Sequence, residues 1–338
     1  MFYSLPTEIK LDIFKCLNYE KLYLAKQTNL YFRDFINNFE EELARERFDS
    51  ISIGYISQFS GFPLKLIKAK ENFDFDFFAK QYKIINEQIE QKWSNGLQDP
   101  IHLYLPDGRL TDSSIVICLA RVHYNILQLP TIIKTKEDIK IVFYYLCRLF
   151  NCYFGYANFD EFIFNPELLQ LLFGNTKIPK QIYLMRDAFL KHSKAYNSEK
   201  LLKFVVNHLI CKSYRIYFSL ENNTKEYVDI LHKILINGDK LRNVNIMCSY
   251  SMPELFDFVI NYIKTSKYCS KMVDKIELDK IGSSFDSLNA KAEKVEEASE
   301  RRGKPKYQIS NIYNPQIKFS IGCRVFSSNG VKFKRIYC

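Results

Sequence analysis

Two side chains of the sequence could ligate a metal ion together. His208 and Cys211 stand three residues apart in a segment whose apolar residues recur with helical spacing, and imidazole and thiolate groups are the usual ligands of zinc. Two ligands do not complete a site, and Cys147 and Cys152 lack the close spacing of a zinc knuckle. We therefore interpret Cys211 as a core residue and His208 as a surface residue, and we predict no metal site and no cofactor.

The motifs that usually activate a nucleophile or bind a phosphate do not occur in the sequence. The chain has no Gly-x-Gly-x-x-Gly or Gly-x-x-x-x-Gly-Lys-Ser/Thr loop, no Gly-x-Ser-x-Gly elbow and no His-Glu-x-x-His helix. Its five histidines, at positions 102, 123, 192, 208 and 232, follow no catalytic spacing. The sequence thus predicts no catalytic residues and a protein that is not an enzyme.

The composition indicates a folded protein that stays inside the cell. The chain has 338 residues, of which 47% are apolar and 15% aromatic, enough to bury a large core. No apolar run approaches the roughly 20 residues of a membrane helix, and the N-terminus lacks the pattern of a secretion signal. The nine cysteines are odd in number and scattered, which is typical of reduced thiols. We expect a soluble cytoplasmic or nuclear protein with no membrane partner.

Positive charge is concentrated after residue 50. Residues 1–50 hold 7 basic and 9 acidic residues, whereas the rest of the chain holds 41 basic and 29 acidic residues. Such an excess could attract nucleic acid through counterion release. The basic residues are mostly spread singly among acids, however, so the sequence favours a solvated surface. A nucleic-acid-binding module that uses the basic surface of residues 51–338 stays the alternative.

The first fifty residues carry helical patterns throughout. Pro6 suits the first position of a helix, and Glu8 complements the positive end of that helix. Asn18 and Asn29 can cap two further helices. The apolar stripes are Ile9, Ile13, Phe14 and Leu17 in the first helix, Leu22 and Ala25 in the second, and Phe32, Phe35, Ile36 and Phe39 in the third. Three helices this short bury little surface, so we expect them to pack on another chain or on the rest of this one.

From about residue 100 onward, strand-like and helix-like segments alternate. The predicted strands are 101–105, 159–164, 181–185, 214–220, 243–247 and 275–278, and the predicted helices begin near residues 135, 165, 198, 224 and 251. Each helix start combines a capping residue or Pro with an acidic residue. The last four strands recur roughly every 30 residues, which favours a leucine-rich-repeat-like solenoid. A layered α/β domain built from the same units is the alternative.

The end of the chain departs from this alternation. Residues 282–314 are polar and of mixed charge, which predicts a flexible loop or a frayed helix. The apolar stretches 317–326 and 331–337 then flank Asn329-Gly330, a strong hairpin signal. We therefore predict an α+β protein with a three-helix module in residues 1–50, a repeating strand-helix α/β domain in 51–281, the loop, and a β-hairpin in 315–338 that packs on the α/β domain.

The N-terminal residues resemble the F-box. The pattern Leu5-Pro6-x-Glu8-Ile9-x-x-x-Ile13-Phe14-x-x-Leu17, followed by Leu22, Ala25 and Phe32, is similar to that family over residues 4 to about 50. Residues 31–36 and 42–45 are similar to the expanded F-box families of plant-parasitic nematodes. The resemblance implies docking on a Skp-type adaptor, and through it on a cullin scaffold. The residues that it implies for this contact are Leu5, Pro6, Ile9, Ile13, Leu17, Leu22 and Phe32.

Alternation along the late strands predicts a second contact surface. Ile182, Leu184, Ile216, Phe218, Val244, Ile246, Ile276 and Leu278 would face the core under the helices. The opposite face would carry Tyr183, Met185, Arg215, Tyr217, Asn245, Met247, Lys275 and Glu277, and we predict that this continuous face binds a substrate. The alternative is a sheet buried on both sides, as most parallel sheets are.

Together these features predict a substrate receptor without chemistry of its own. The F-box resemblance implies that the chain is the substrate-recognition subunit of a cullin-RING ubiquitin ligase, holding an unknown protein substrate for ubiquitin-dependent degradation. The other interpretation is an interaction protein that binds the adaptor and has no role in ubiquitination.

Overall fold

The protein, analysed as a computed structural model, is a mixed α/β protein with three N-terminal helices and one large mixed sheet. The structure describes residues 2–39, 42–61, 63–94, 100–105, 115–121, 123–160, 162–174, 181–192, 198–218, 231–236, 238, 241–248, 253–279, 292–296, 306–323 and 330–337. Within these ranges, no helix has both the length and the apolar character needed to cross a bilayer.

The N-terminal helices are α1 (Thr7–Lys15), α2 (Tyr19–Thr28) and α3 (Leu30–Asn38). The predicted caps are confirmed, because Asn18 Oδ1 accepts from the N–H of Lys21 at 3.0 Å and Asn29 Oδ1 accepts from the N–H of Phe32 at 2.9 Å. Pro6 is the N-cap of α1, one position earlier than predicted. We call residues 2–39 the helical module.

The helical module ends earlier than predicted. Strand β1 (Glu46–Tyr55) begins inside the segment that the sequence analysis assigned entirely to helices, so that assignment is wrong for residues 46–50. Charged residues in this stretch resemble a helix surface, but β1 pairs with β5 and with β8, which lie about 60 and 100 residues further along the chain. Such long-range pairing decides the conformation of a short segment and leaves no local signal.

Including β1, the described residues form 19 strands, and beyond the helical module they form six further helices with defined bounds. The other strands are β2 (Leu64–Lys68), β3 (Ile101–His102), β4 (Tyr104–Leu105), β5 (Ile115–Ala120), β6 (Tyr124–Gln128), β7 (Ile132–Ile133), β8 (Cys152–Phe159), β9 (Ile163–Phe164), β10 (Ile182–Leu184), β11 (Asp187–His192), β12 (Leu209–Ile210), β13 (Ser213–Phe218), β14 (Asn243–Cys248), β15 (Lys275–Leu278), β16 (Glu293–Glu296), β17 (Lys306–Ser310), β18 (Lys318–Cys323) and β19 (Val331–Ile336). The helices are α4 (Phe75–Gln81), α5 (Lys83–Ser94), α6 (Lys136–Phe150), α7 (Pro166–Phe173), α8 (Ser198–His208) and α9 (Pro253–Thr265).

The centre of the sheet is parallel and follows chain order. Strands β1, β8, β11, β13, β14 and β15 are neighbours in that sequence, and each pair is parallel. Helix α7 precedes β10 and β11, α8 precedes β12 and β13, and α9 joins β14 to β15. On one flank β5 and β6 add antiparallel strands and β2 forms the edge; on the other, β19, β18, β17 and β16 are all antiparallel.

The predicted strands in the second half of the chain are largely confirmed. Residues 275–278 form β15, and residues 214–220 and 243–247 overlap β13 and β14. The segment 159–164 contains instead the end of β8 and the whole of β9, and 101–105 contains β3 and β4. Strand β11 was not predicted, although it is this strand, rather than β10, that pairs with β13.

One face of the parallel sheet is buried by the helices. A row of opposed residues runs Ile51, Ala157, Ala188, Tyr214, Val244, Ile276 and Phe333, and all are buried. The same core contains apolar residues of α6, α7, α8 and α9. Ile182, Leu184, Ile216, Val244, Ile246, Ile276 and Leu278 are buried as predicted, while the side chain of Phe218 lies outside the description.

The C-terminal segment contains more β-strand than predicted. Strands β16 and β17 lie within residues 282–314, so the prediction of a loop is wrong for residues 293–296 and 306–310. Polar strands at the edge of a sheet are fixed by backbone pairing, here of β17 with β18, which composition does not reveal. The two hairpin strands, β18 and β19, pair antiparallel as predicted, and β19 also pairs with β15. Asn329 of the predicted turn lies outside the described residues.

Candidate binding surfaces

The residues considered for metal binding occupy separate buried positions. His208 is the last residue of α8 and is 1% exposed, so its interpretation as a surface residue is wrong. The Sγ of Cys211 donates to the carbonyl of Ser213 at 3.2 Å, and burial raises the pKa of this thiol to about 12. The described part of the chain contains no group of three or more His, Cys, Asp or Glu residues placed to hold a metal ion.

Other buried cysteines are equally unsuited to act as nucleophiles. Burial raises the pKa of Cys118 and of Cys269 to about 11. Because the thiolate is the reactive form, these thiols are almost wholly protonated and inert at neutral pH.

The helical module has a small core of its own and a large apolar surface. Its core consists of Leu11, Phe14, Leu22, Phe35 and Ile36 together with Leu43, which follows the module. Large apolar side chains that remain exposed on it are Tyr3, Ile9, Ile13, Tyr23, Leu24, Leu30 and Tyr31. Exposed clusters of this kind often mark a protein-binding surface, and the module is too small to cover them itself.

The residues implied for adaptor binding are divided between this surface and the core. Ile9 and Ile13 are 47% and 42% exposed on α1, and Pro6 is exposed beside them in sequence. Leu5, Leu17 and Phe32 are partly buried. Leu22 is 2% exposed, so any effect of this residue on binding must act through the packing of the module. The predicted single stripe on α1 is corrected accordingly: Phe14 faces the module core, whereas Ile9 and Ile13 face outward.

An ion pair and a half-buried tyrosine join the helical module to the sheet. Arg121, next to β5, reaches Glu20 of α2 with an N–O distance of 2.6 Å and Glu46 of β1 at 3.9 Å. Tyr19 lies beside Glu46, and burial together with that carboxylate raises the pKa of its phenol well above the ordinary value. The module is therefore attached to the large domain through α2, which leaves Ile9 and Ile13 of α1 exposed.

The second predicted surface lies on the sheet face opposite the helices, which we call the open face. Arg215, Asn245 and Glu277 occupy directly opposed positions on β13, β14 and β15. Tyr217 and Met247 are opposed in the next row. Arg215 is exposed, and Tyr217, Asn245 and Met247 are partly exposed, which argues against a sheet buried on both faces.

Two members of the predicted face lie elsewhere. Tyr183 is on β10, where the guanidinium of Arg45 stands 4.7 Å from the centre of its ring. Met185 is 47% exposed, but it lies between β10 and β11 and takes no part in the rows of β13. The strand beside β13 is β11, which places Asp187, Phe189 and Lys191 opposite Ser213, Arg215 and Tyr217. The predicted continuity therefore holds for β13 to β15 and is corrected on the β10 side.

Glu277 is at the centre of a charged network on the open face. It is 6% exposed, and its carboxylate contacts Lys275 Nζ at 2.9 Å, Lys332 Nζ at 3.8 Å and Asn245 Nδ2 at 3.3 Å. Because it is covered in this way, Glu277 positions the lysines and is not itself a surface contact. The Oδ1 of Asn245 is buried and has no hydrogen-bond partner among the residues that the structure describes.

Nearby, the same face contains a depression of about 370 Å³. Its lining includes Asp187, Arg215, Asn245, Lys275 and Glu277, and Asp187 forms an ion pair with Arg215. Sequence reasoning found four of these residues, Arg215, Asn245, Lys275 and Glu277, by alternation on β13 to β15. It missed Asp187, and also Lys332 and Lys334 of β19, because neither β11 nor the pairing of β19 with β15 was predicted. The alternation of polar and apolar residues in 331–336 could have shown that Lys332 and Lys334 share one face of a strand.

Comparison with known proteins gives a partial match. No curated protein matches the chain, and no solved structure matches it. One protein-family model, described as a domain of unknown function (DUF8381), matches residues 75–219, so α4 to β13 are similar to that family. Residues 4 to about 50, which resemble the F-box, and strands β14 to β19 lie outside the matched range.

Proposed function

We propose that the chain is a non-catalytic substrate-recognition subunit of a cullin-RING ubiquitin ligase. In this proposal the helical module is an F-box that binds a Skp-type adaptor, and the open face of the α/β domain holds a protein substrate. The conjugation of ubiquitin takes place on other subunits of the complex.

The observation that carries the proposal is the exposed apolar surface of the helical module. Ile9 and Ile13 extend outward from α1, although the module already has a buried core formed by other residues. Fully burying an exposed aliphatic side chain of this size contributes about 1.5 to 3 kcal/mol, so covering the exposed half of each isoleucine contributes roughly half of that. A partner that covers both isoleucines and Pro6 therefore gains appreciable affinity, and the resemblance of residues 4 to about 50 to the F-box names that partner.

The arrangement of the large domain supports a substrate-holding role. Parallel strands in chain order, with helices on one face, are the arrangement expected for a short leucine-rich-repeat-like solenoid. We propose this architecture for β8 to β15. Solenoids of this kind bind partners on the face that the helices leave uncovered, which here is the open face.

The mechanism that follows is proximity. A receptor that holds a substrate lysine near an activated ubiquitin raises the effective concentration of the two reactants. Helix α2 reaches the sheet through the ion pair of Glu20 with Arg121, which is exposed and contributes at most about 1 kcal/mol to holding the helical module in place.

The experiment is the capture of the full chain by a purified Skp-type adaptor. We expect the wild-type chain to be captured and Ile9→Glu/Ile13→Glu to lose capture, because two carboxylates would be buried at an apolar contact. Both residues are exposed, so the variant should keep its melting temperature. The Leu5→Ala/Pro6→Ala double variant should weaken capture as well.

The matched control is Ile312→Glu, which changes another exposed isoleucine between β17 and β18, outside the helical module. It should be captured like the wild-type chain. If the adaptor fails to capture the wild-type chain, the ligase function is excluded. Capture without ubiquitination of any bound protein would instead favour an adaptor-binding interaction protein.

A further inference from the structure

Lysine side chains dominate the open face on its C-terminal side. The cations on this face of β11, β13, β14, β15, β19, β18 and β17 are Lys191, Arg215, Lys275, Lys332, Lys334, Lys318 and Lys306, whereas the carboxylates are Asp187 and Glu277. Both carboxylates are already engaged, Asp187 with Arg215 and Glu277 with two lysines. Glu293 and Glu296 of the edge strand β16 occupy the positions opposite Gln308 and Lys306 of β17, so the excess of positive charge lies over β15, β19, β18 and β17 and ends at β16.

Two of these lysines face each other across neighbouring strands. Lys275 of β15 lies directly opposite Lys334 of β19, and the next position in that row is Ser320 of β18. Like charges in directly opposed positions destabilise a sheet. Lys275 is partly neutralised by Glu277, but the exposed Lys334 forms no ion pair with any residue that the structure describes. Binding of a carboxylate between these strands would relieve the repulsion.

An open space lies next to this pair. Gly322 of β18 is opposed by Lys332 of β19 on one side and by Lys306 of β17 on the other. A Cβ atom built on Gly322 would meet no atom within 4 Å. Packing therefore does not demand glycine here, and the absence of a side chain leaves room above the strand between two lysines.

We propose that this region of the open face binds an acidic segment of a polypeptide. Neighbouring strands lie about 4.8 Å apart, so the lysines of β15, β19 and β17 form a ladder that carboxylates of an extended chain can follow. The inference names the substrate class of the surface assigned above and so rests on that assignment. It does not depend on whether the helical module binds an adaptor.

Nucleic acid is the competing occupant, and the composition of the face disfavours it. Surfaces that bind single strands interleave cations with exposed aromatic side chains on which bases stack. Phe189 and Tyr217 are the aromatic residues within the rows from β11 to β17, and both are half-buried.

The test measures binding of a fluorescent oligoglutamate peptide to the full chain by anisotropy. Gly322→Glu places a carboxylate between Lys332 and Lys306, and the isosteric control is Gly322→Gln. We expect Gly322→Glu to weaken peptide binding about tenfold or more, because it repels the ligand and neutralises the lysines, whereas Gly322→Gln should change it little. Raising the salt concentration should weaken binding by the wild-type chain.

A second variant, Lys334→Glu, controls for the possibility that Gly322→Glu misfolds. Lys334 is exposed, so Lys334→Glu should keep the wild-type melting temperature and also lose peptide binding. Equal affinity of the Gly322→Glu and Gly322→Gln chains, or equal binding of an oligoglutamine peptide, would overturn the proposal. So would tighter binding of oligothymidylate than of oligoglutamate. Adaptor capture by Gly322→Glu should be unchanged, so a failure here is distinguishable from a failure of the proposed ligase function.

Discussion

At the scale of single residues, Asp138 shows how a buried charge is accommodated. One carboxylate oxygen accepts from the backbone N–H groups of Lys134 and Thr135, each at 3.1 Å, and the other meets Lys70 Nζ at 2.8 Å. The N–H of Asp138 donates to Thr135 Oγ1, which completes a capping box at the start of α6. Burial alone would raise the pKa of this carboxyl, but Lys70 and the N–H donors lower it below its ordinary value.

We predict that Asp138→Ala lowers the free energy of unfolding by about 1 to 3 kcal/mol, because two N–H groups lose their acceptor. Urea denaturation at neutral pH measures this change. Glu137→Ala, an exposed neighbour in the same helical turn, is the control and should cost much less. Lys70→Met should cost under about 1 kcal/mol, since the lysine is 64% exposed.

The depressed pKa gives this effect a pH dependence. The stabilisation by Asp138 is fully present above the pKa of an unfolded Asp, about 3.9, and is lost as pH falls through the lower pKa of the folded state. The difference between wild-type and Asp138→Ala should therefore shrink in acid. A difference that stays constant down to about pH 2 would contradict the ionic role of this side chain.

The roles of residues that act on neighbouring backbone could be predicted from the sequence, whereas roles that depend on distant strands could not. The caps at Asn18, Asn29 and Thr135 were anticipated because a capping side chain acts on backbone within the next three residues. Gly155 could not be anticipated. A Cβ there would lie 2.4 Å from the carbonyl oxygen of Asp49, on a strand about 100 residues earlier in the chain. The requirement for glycine arises only when β1 and β8 are paired.

At the scale of elements, Asn311 ties helix α9 to the antiparallel flank of the sheet. It is 2% exposed, and its Nδ2 donates to the carbonyls of Ile263 and Ser266 at 2.7 and 2.8 Å, at the C-terminal end of α9. Its Oδ1 accepts from the N–H groups of Tyr313 and Asn314. The amide of Asn311 thus provides hydrogen-bond partners for two carbonyls at the end of α9 and for two N–H groups in the loop between β17 and β18.

We predict that Asn311→Asp destabilises the protein by roughly 3 kcal/mol or more at neutral pH, because one oxygen of a buried carboxylate would face two carbonyl oxygens. The pKa of such a carboxyl is raised in the folded state. The penalty is therefore small below the unfolded pKa, near 4, and grows as pH rises towards the folded pKa. Thermal melts at pH 3 and pH 7 measure it, and equal losses at the two values would contradict this account.

Elements were predictable where their signals are local. The starts of α6 and α7 and the position of β15 follow from caps and alternation within a few residues. Strands β1, β11 and β17 were missed because their conformation depends on partners in other parts of the sheet. The candidate site was affected in the same way. Its rows on β13 to β15 were predicted, whereas the lysines of β19 joined it only through pairing with β15.

At the scale of the whole molecule, the chain has a large core and a separate small one. The large core runs through the sheet and α6 to α9, whereas the helical module packs around its own buried residues such as Phe14 and Leu22. The small core of the helical module provides little stability by itself. The module also exposes large apolar side chains, so it should gain stability when a partner covers them.

We therefore predict that hydrogen exchange of the free protein is faster in α1 to α3 than in β13, β14 and the fully packed helix α6. Regions with few buried contacts open with less free energy than the core, and exchange followed by mass spectrometry reports that difference. Adding a purified Skp-type adaptor should slow exchange in α1 to α3 and leave α6 unchanged, while an oligoglutamate peptide should have no effect on the module. If the free module exchanged as slowly as α6, the two cores would be one cooperative unit, and the apolar surface of α1 would not reflect a missing partner.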